Sequence, residues 1–78
     1  MGNIAGMDTL KEHQKARVEK ILMGGKMRNR LNDLGLIERT CIECLYRNNG
    51  ISAYLIRGAV IALRSEDTSL IKIKIIKS

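Results

Sequence analysis

Residues 40–56 read TCIECLYRNNGISAYLI, and this stretch decides the fold. In its first half the side chains alternate, with Ile42 and Cys44 on one face, which is the period of two that a strand requires. Residues 48–50, Asn-Asn-Gly, are a turn signal because Asn and Gly tolerate positive φ. Residues 51–56 then predict a returning strand, so the stretch as a whole indicates a β-hairpin.

The chain after this hairpin continues to favour strands. Gly58 interrupts the pattern and predicts a bulge or a barrel corner. Residues 60–64 predict another strand with Ile61 and Leu63 facing inward, and residues 65–69 resemble a single capped turn. The clearest strand comes last, because isoleucines alternate with lysines at Ile71, Lys72, Ile73, Lys74 and Ile75.

The chain before the hairpin contains the best helix signal. Residues 26–34 carry apolar side chains at helical spacing, which gives one apolar stripe. Gly35 follows where a helix commonly ends with a left-handed residue, and the next two apolar side chains suit the contacts of such a cap. The stripe and its cap contacts are Met27, Leu31, Leu34, Leu36 and Ile37.

Residues 9–22 give two conflicting signals. Thr9 with Glu12 fits a capping box, and Leu10, Val18, Ile21 and Leu22 have the spacing of one helical stripe, which favours a helix ended by the glycines at 24 and 25. Apolar and charged residues alternate over 16–20, which favours a strand. Local signals alone slightly favour the helix. Residues 1–8 predict a flexible arm, and residues 9–78 predict one domain, a small closed or nearly closed barrel whose closure hides its strand edges.

Composition narrows the class of protein. The chain has 78 residues, 45% hydrophobic, with no Phe or Trp and two tyrosines, so one domain with an aliphatic core is expected. The net charge of +6 suits an acidic partner, a nucleic acid or an anionic membrane surface. Two tyrosines supply few stacking platforms, which makes nucleic acid the weaker partner. Two cysteines, no transmembrane run and no signal peptide indicate a reduced, cytoplasmic setting.

No motif in the sequence predicts catalysis or a cofactor. Cys41 and Cys44 form a C-x-x-C pair, but on a strand they face opposite sides, so we expect Cys44 buried and Cys41 more exposed. Zinc shared between two chains is the alternative. His13 is the only histidine, and with scattered acids it does not form a ferrous site. Residues 24–26, Gly-Gly-Lys, lack the remainder of a phosphate loop. The chain is therefore not expected to be an enzyme.

Several of these segments are similar to one family. Residues 30–36, RLNDLGL, resemble the Arg-Leu-x-x-(Met/Leu)-Gly-Leu signature of the FeoA family. Its second half is similar to Arg57-Gly58, to residues 61–64, IALR, and to residues 70–73, LIKI. Ala16-Arg17-Val18, Ile21 and Gly24-Gly25 are similar to its opening strand. The resemblance runs from about Thr9 to Ile75.

This resemblance implies a fold and a function. FeoA proteins are small SH3-like barrels of about five strands with one or two short helices, in the bacterial cytoplasm. The family assists FeoB, a membrane ferrous-iron transporter, and the same fold forms the C-terminal domain of DtxR-type repressors. The resemblance therefore favours a strand over residues 16–22, with a bulge between Val18 and Ile21. It implies an accessory protein that contacts FeoB, placed in the cytoplasm or at the inner face of the membrane through that partner.

The sequence also predicts a contact surface. It is the 26–34 helix end with the loop after it, namely Arg28, Arg30, Leu36, Ile37 and Arg39. Arg30 is expected to pair with Asp33, and Lys72 with Lys74 predicts a basic stripe that Arg17 or Arg64 would extend.

Two alternative functions stay open. They are a nucleic-acid-binding accessory protein and a metal-dependent regulatory domain related to the repressor tail. Weak homo-oligomerisation is a further prediction, which is compatible with any of these functions.

Overall fold

Six antiparallel strands form a single sheet in the structure, a computed structural model that describes residues 4–76. The strands are β1 (Ile4–Gly6), β2 (Lys15–Ile21), β3 (Cys41–Asn48), β4 (Ile51–Ile56), β5 (Ala59–Arg64) and β6 (Ile71–Ile76), and the helices are α1 (Gly25–Asp33) and α2 (Ser65–Thr68). A short 3-10 helix, Met7–Thr9, follows the first strand. The strands lie in the order β1-β6-β2-β3-β4-β5.

The predicted flexible arm is wrong where the structure describes it. Ile4 and Gly6 are paired with Lys74 and Lys72 of β6, and the side chain of Met7 is fully buried. Burial of the Met7 side chain fixes the segment against the core. Because Ile4 to Gly6 pair with β6, the sheet has six strands instead of about five. Residues 1–3 of the predicted arm lie outside the described residues.

The conflict over residues 9–22 is resolved in favour of the strand. β2 pairs with β3 on one side and with β6 on the other, which makes it a central strand. The register shifts between Val18 and Lys20, where Glu19 is the extra residue of the predicted bulge. This bulge brings both Val18 and Ile21 to the buried face. The helical spacing of those two residues therefore came from a bulged strand.

Helix α1 ends in a Schellman motif, as the glycine at its end predicted. Gly35 has φ of 92°, its backbone N–H donates to Asn32, and the N–H of Leu36 donates to the carbonyl of Leu31 at 2.9 Å. The side chains of Leu31 and Leu36 are both buried and supply the apolar contact that accompanies this motif. The cap therefore fixes where the chain leaves the helix.

Two tight hairpins order strands β3 to β5. Asn48 pairs with Ile51 at the predicted first turn, where Gly50 has φ of 80°. The prediction of a bulge or corner at Gly58 is wrong. Arg57 and Gly58 both have positive φ and form a two-residue turn between β4 and β5, as a type I′ hairpin requires.

One aliphatic core fills the concave side of the sheet. Met7, in the 3-10 helix, accepts a hydrogen bond at its backbone carbonyl from the hydroxyl of Tyr54 at 3.4 Å, and this contact joins the start of the chain to β4. Ile61 and Leu63 pack half-buried against the core, as predicted. The core residues are Met7, Leu10, Ala16, Val18, Ile21, Leu31, Leu36, Ile42, Cys44, Tyr54, Ile56, Ile71 and Ile73.

Candidate functional site

Strand β5 has a free edge. It is the last strand of the sheet and pairs only with β4. Ile56 and Ala59 flank a two-residue turn, so they exchange both backbone hydrogen bonds with each other. Along the hairpin, pairs that exchange hydrogen bonds then alternate with pairs that do not. Val60 and Ala62 consequently direct their backbone N–H and C=O groups away from β4. Within residues 4–76 no other backbone hydrogen bond uses these groups. The edge can therefore accept another extended chain.

A groove of about 240 Å³ lies between this strand and helix α1. Leu31 is fixed in the core, while Leu34, at the end of the helix, is 40% exposed. Apolar side chains of α1 and β5 line the groove together with two arginines and one aspartate. The lining residues are Met27, Arg30, Leu31, Leu34, Ile61, Ala62, Leu63, Arg64 and Asp67.

The two arginines on the rim of this groove differ in their pairing. Arg64 binds Glu66 at 3.2 Å and Asp67 at 3.4 Å, so its charge is largely compensated on the surface. Arg30 is exposed, and it takes part in none of the ion pairs found among residues 4–76. The predicted pair of Arg30 with Asp33 is thus not formed. Arg30 is consequently the cation available to an acidic group entering the groove.

Two residues of the predicted contact surface, Arg28 and Leu36, have side chains that stabilise the fold. Arg28 is half-buried, and its Nη1 donates to the backbone carbonyl of Ile21 at 3.0 Å. Leu36 has no exposed surface, since it is the apolar contact of the helix cap. Its assignment to a contact surface is therefore wrong, and Arg28 links helix α1 to the end of β2.

The remaining predicted residues do not form one surface. Ile37 is 44% exposed on the loop after α1. Arg39, at φ of 76°, donates its backbone N–H to the carbonyl of Val18 at 2.7 Å. The side chain of Arg39 lines a polar depression with Arg17, Glu19 and Glu38. Of the predicted residues, only Arg30 lines the groove.

The sequence predicted strand β5, but it did not predict that this strand lies at the edge of the sheet and lines the groove. Residues 59–63, AVIAL, are all apolar. A strand edge that faces solvent normally carries a charged residue or a proline. The lack of both was the sequence signal for an edge that accepts a partner. Which strand would lie at the edge depends on pairing between distant segments, so the sequence pattern alone did not place the groove.

The cysteines lie as predicted. Cys44 is buried with Ile42, and burial raises the pKa of its thiol. Cys41 is exposed on the opposite face of β3. Neither is joined by further ligands, because no group of three His, Cys, Asp or Glu side chains that could hold a metal ion occurs within the described part of the chain.

The predicted basic stripe is present on the outer face of the sheet. Arg17 of β2 is directly opposite Lys74 of β6, and Lys20 is directly opposite Lys72. Arg64 does not extend it, since β5 is separated from β2 by β3 and β4. The stripe and the groove are therefore built from different strands.

No helix within residues 4–76 has the length and apolar character needed to cross a bilayer.

Solved structures share this fold. An iron uptake regulatory protein (FeoA) matches with a TM-score of 0.86 and 19% identity over 95% of this chain and 100% of its own. A FeoA-like protein from Clostridium acetobutylicum matches with a TM-score of 0.86 and 21% identity over 100% and 93%. A manganese-dependent transcriptional repressor matches with a TM-score of 0.87 and 15% identity over 97% of this chain and 44% of its own.

These likenesses establish an SH3-like fold. A comparison with curated proteins finds no match. The FeoA domain model matches residues 6–75, which include both walls of the groove, the helix cap and all strands except most of β1. The chain therefore belongs to the FeoA domain family.

Proposed function

We propose that this chain is a cytosolic accessory protein of bacterial ferrous-iron transport, which acts by contact with the cytosolic part of the FeoB transporter. The proposal combines family membership with one observation, a groove of apolar and charged side chains beside a free strand edge. A groove of this kind suits a protein segment. The chain would carry out no chemistry itself.

The partner segment is proposed to bind in extended form. Its backbone would pair with the free groups of Val60 and Ala62, and this β-augmentation supplies affinity without strict sequence demands. Alternate side chains of the segment would face the groove, where Leu34 and Ile61 accept apolar groups. An acidic residue near the helix end would bind Arg30, and this contact would select the partner.

Binding at this site would act on the transporter through its conformations. A partner shifts an equilibrium only by its difference in affinity for the two states. Coupling free energies of this kind are about 1–3 kcal/mol. An accessory domain with a small groove can supply a coupling free energy of this size, because it needs only to bind one arrangement of the transporter segment more tightly than the other.

The test is the affinity of the purified chain for full-length FeoB in detergent or nanodiscs. The double variant Arg30→Glu/Leu34→Ser reverses the free cation and removes an exposed apolar contact of the groove. We expect its affinity to fall at least about tenfold, which corresponds to about 1.4 kcal/mol. The control Lys11→Glu/Leu22→Ser makes the same kinds of change at two exposed residues that do not line the groove, and it should bind like the original chain.

Two results would count against the proposal in different ways. Unchanged binding of the groove variant would show that the partner binds elsewhere on the domain. Absence of any binding by the original chain to the transporter would remove the proposed partner. Thermal unfolding of both variants accompanies the binding assay, so that a loss of fold is not read as a loss of contact.

A further inference from the structure

A second surface lies on the convex face of strands β1, β6 and β2. Cross-strand partners share a face of a sheet, and so do residues two apart on one strand. Arg17 faces Lys74, Lys20 faces Lys72, and Ile4 faces Lys74 from the other side. Four cations on two neighbouring strands thus lie within about one strand spacing, roughly 5 Å, of an opposite cation.

This arrangement is unfavourable to the isolated fold. Like charges directly opposite each other on antiparallel strands destabilise the pair. Only part of the charge is compensated: Arg17 binds Glu19 at 2.8 Å, and the ammonium group of Lys72 donates to the carbonyl of Ser69 at 3.2 Å. Lys20 and Lys74 are exposed and take part in none of the ion pairs found in residues 4–76. An anionic partner would relieve this repulsion.

Apolar side chains flank the cations on the same face. Ile4, opposite Lys74, is 55% exposed, and Ile76, two residues beyond Lys74, is 39% exposed. Next to Ile76, Lys15 lies opposite Glu43 of β3, where the cationic surface ends. The face therefore combines a cluster of cations with isoleucines at its outer margin.

We propose that this face binds the surface of an anionic phospholipid bilayer. The cations would lie among the phosphate groups, where each Lys or Arg near an anionic surface strengthens binding about fivefold. Ile4 and Ile76 would enter the boundary between headgroups and acyl chains, as apolar side chains of interfacial proteins do. The chemistry recognised is a dense array of phosphates next to an apolar layer.

The isoleucines favour lipid over nucleic acid. Single-stranded nucleic acid is held by aromatic side chains that stack on bases, together with cations along the backbone. Both tyrosines of the chain lie on other strands, Tyr46 on β3 and Tyr54 on β4. Exposed isoleucines offer no stacking to a base, whereas a bilayer can bury them.

This inference does not depend on the proposed function. The groove is formed by α1 and β5, and the basic face by β1, β6 and β2. Lipid binding can consequently be measured without the transporter, and either result leaves the other test unaffected. If the chain binds both lipid and the transporter, the bilayer would hold the domain close to the transporter and increase the local concentration of the domain there.

The experiment is co-sedimentation of the full chain with vesicles. Vesicles of phosphatidylcholine alone are compared with vesicles of phosphatidylcholine mixed with phosphatidylglycerol, each at low and at raised salt. We expect binding only to the anionic vesicles and release as salt rises, because exposed charges are screened. The double variant Lys72→Gln/Lys74→Gln should bind roughly 25-fold more weakly, since two cations are lost.

The matched control is Lys11→Gln/Arg47→Gln. It removes two exposed cations outside the basic face, so both variants change the net charge from +6 to +4. We expect the control to bind within about threefold of the original chain, because only cations close to the membrane surface contribute strongly. A third variant, Ile4→Ser, should weaken binding without changing its dependence on salt.

A stability measurement separates function from folding. Lys74→Glu places a carboxylate opposite Arg17, which exchanges repulsion for attraction across the strands. We expect this variant to unfold at a temperature equal to or above that of the original chain while losing vesicle binding. Loss of binding with a retained fold supports a surface role.

Three outcomes would overturn the inference. The first is equal binding to neutral and anionic vesicles. The second is an equal loss in the two matched double variants, which would mean that total charge, and not this face, determines binding. The third is absence of binding to anionic vesicles, and salt-dependent retention on duplex DNA or single-stranded RNA would then assign the face to nucleic acid.

Discussion

The side chain of Arg57 lies directly across Gly35. A Cβ atom added to Gly35 would overlap Cδ of Arg57, and its next contact, with Cγ, would be only 3.2 Å. Gly35 ends helix α1, and Arg57 begins the turn between β4 and β5. This contact therefore joins the end of α1 to the turn before β5, and α1 and β5 both line the groove.

The first prediction concerns this contact. Gly35→Ala should lower the free energy of unfolding by about 2 kcal/mol, because alanine is strained at positive φ and its methyl group displaces Arg57. Chemical denaturation measures the change. Gly50→Ala is the control, since Gly50 also has positive φ but no atom within 4 Å of an added Cβ. We expect about 1 kcal/mol there.

A double-mutant cycle isolates the contribution of the arginine. In the background of Arg57→Ala, the substitution Gly35→Ala should cost about as much as Gly50→Ala does, because only the backbone strain is left. An undiminished cost in that background would show that Arg57 moves aside freely and does not hold the helix end.

The second prediction tests the place of the chain start in the core. Met7→Ala should lower the free energy of unfolding by about 3 kcal/mol, the usual loss for a fully buried methionine. The control Met23→Ala removes a side chain that is only half-buried at the margin of the core, so its effect should be smaller. Equal effects of the two substitutions would contradict the packing of residues 4–8.

Period-two patterns allowed most of the fold to be predicted from the sequence. The strands from Cys41 to Ile76 alternate clearly, and Gly35 marked the end of the helix. β1 could not be found in this way, because three residues show no period and Gly6 has no side chain. β2 was ambiguous since its bulge at Glu19 shifts the alternation by one residue.

The candidate site was less predictable, because it depends on which segments become neighbours. Arg30 was chosen from the family signature, and the structure shows it exposed at the groove, whereas its contact with a partner stays a prediction. Leu36 was chosen from the same signature, although a cap leucine is expected to be buried. The groove also needs the free edge of β5, and an edge follows from the pairing order of the complete sheet.

The third prediction concerns alkaline pH. Burial raises the pKa of Tyr54, so in the folded chain it stays protonated at a pH where the unfolded chain ionises. The unfolded state then binds fewer protons, and stability falls as the pH rises above about 10. Tyr54→Phe should flatten this fall in a series of unfolding curves, while the exposed residue Tyr46 provides the control Tyr46→Phe.

Part of the alkaline fall should persist in Tyr54→Phe. Burial also raises the pKa of the Cys44 thiol, so this group destabilises the fold in the same direction, beginning at a somewhat lower pH. Cys44→Ala combined with Tyr54→Phe should remove most of the dependence. If the free energy of unfolding falls with pH as steeply in the double variant as in the original chain, then the raised pKa values of Tyr54 and Cys44 do not cause the fall.

The last prediction separates Arg28 from Arg30, two cations of one helix. Arg28→Met should lower the free energy of unfolding by about 1–2 kcal/mol, because it removes a charged hydrogen bond to the carbonyl of Ile21 in a half-buried setting. Arg30→Met should leave stability within about 0.5 kcal/mol, since Arg30 is exposed.

The two variants should have opposite effects in the transporter assay. Arg30→Met should weaken binding, and Arg28→Met should bind normally at temperatures where it stays folded. Similar losses of both stability and binding in the two variants would contradict this division, because the structure gives one arginine to the fold and leaves the other free at the groove.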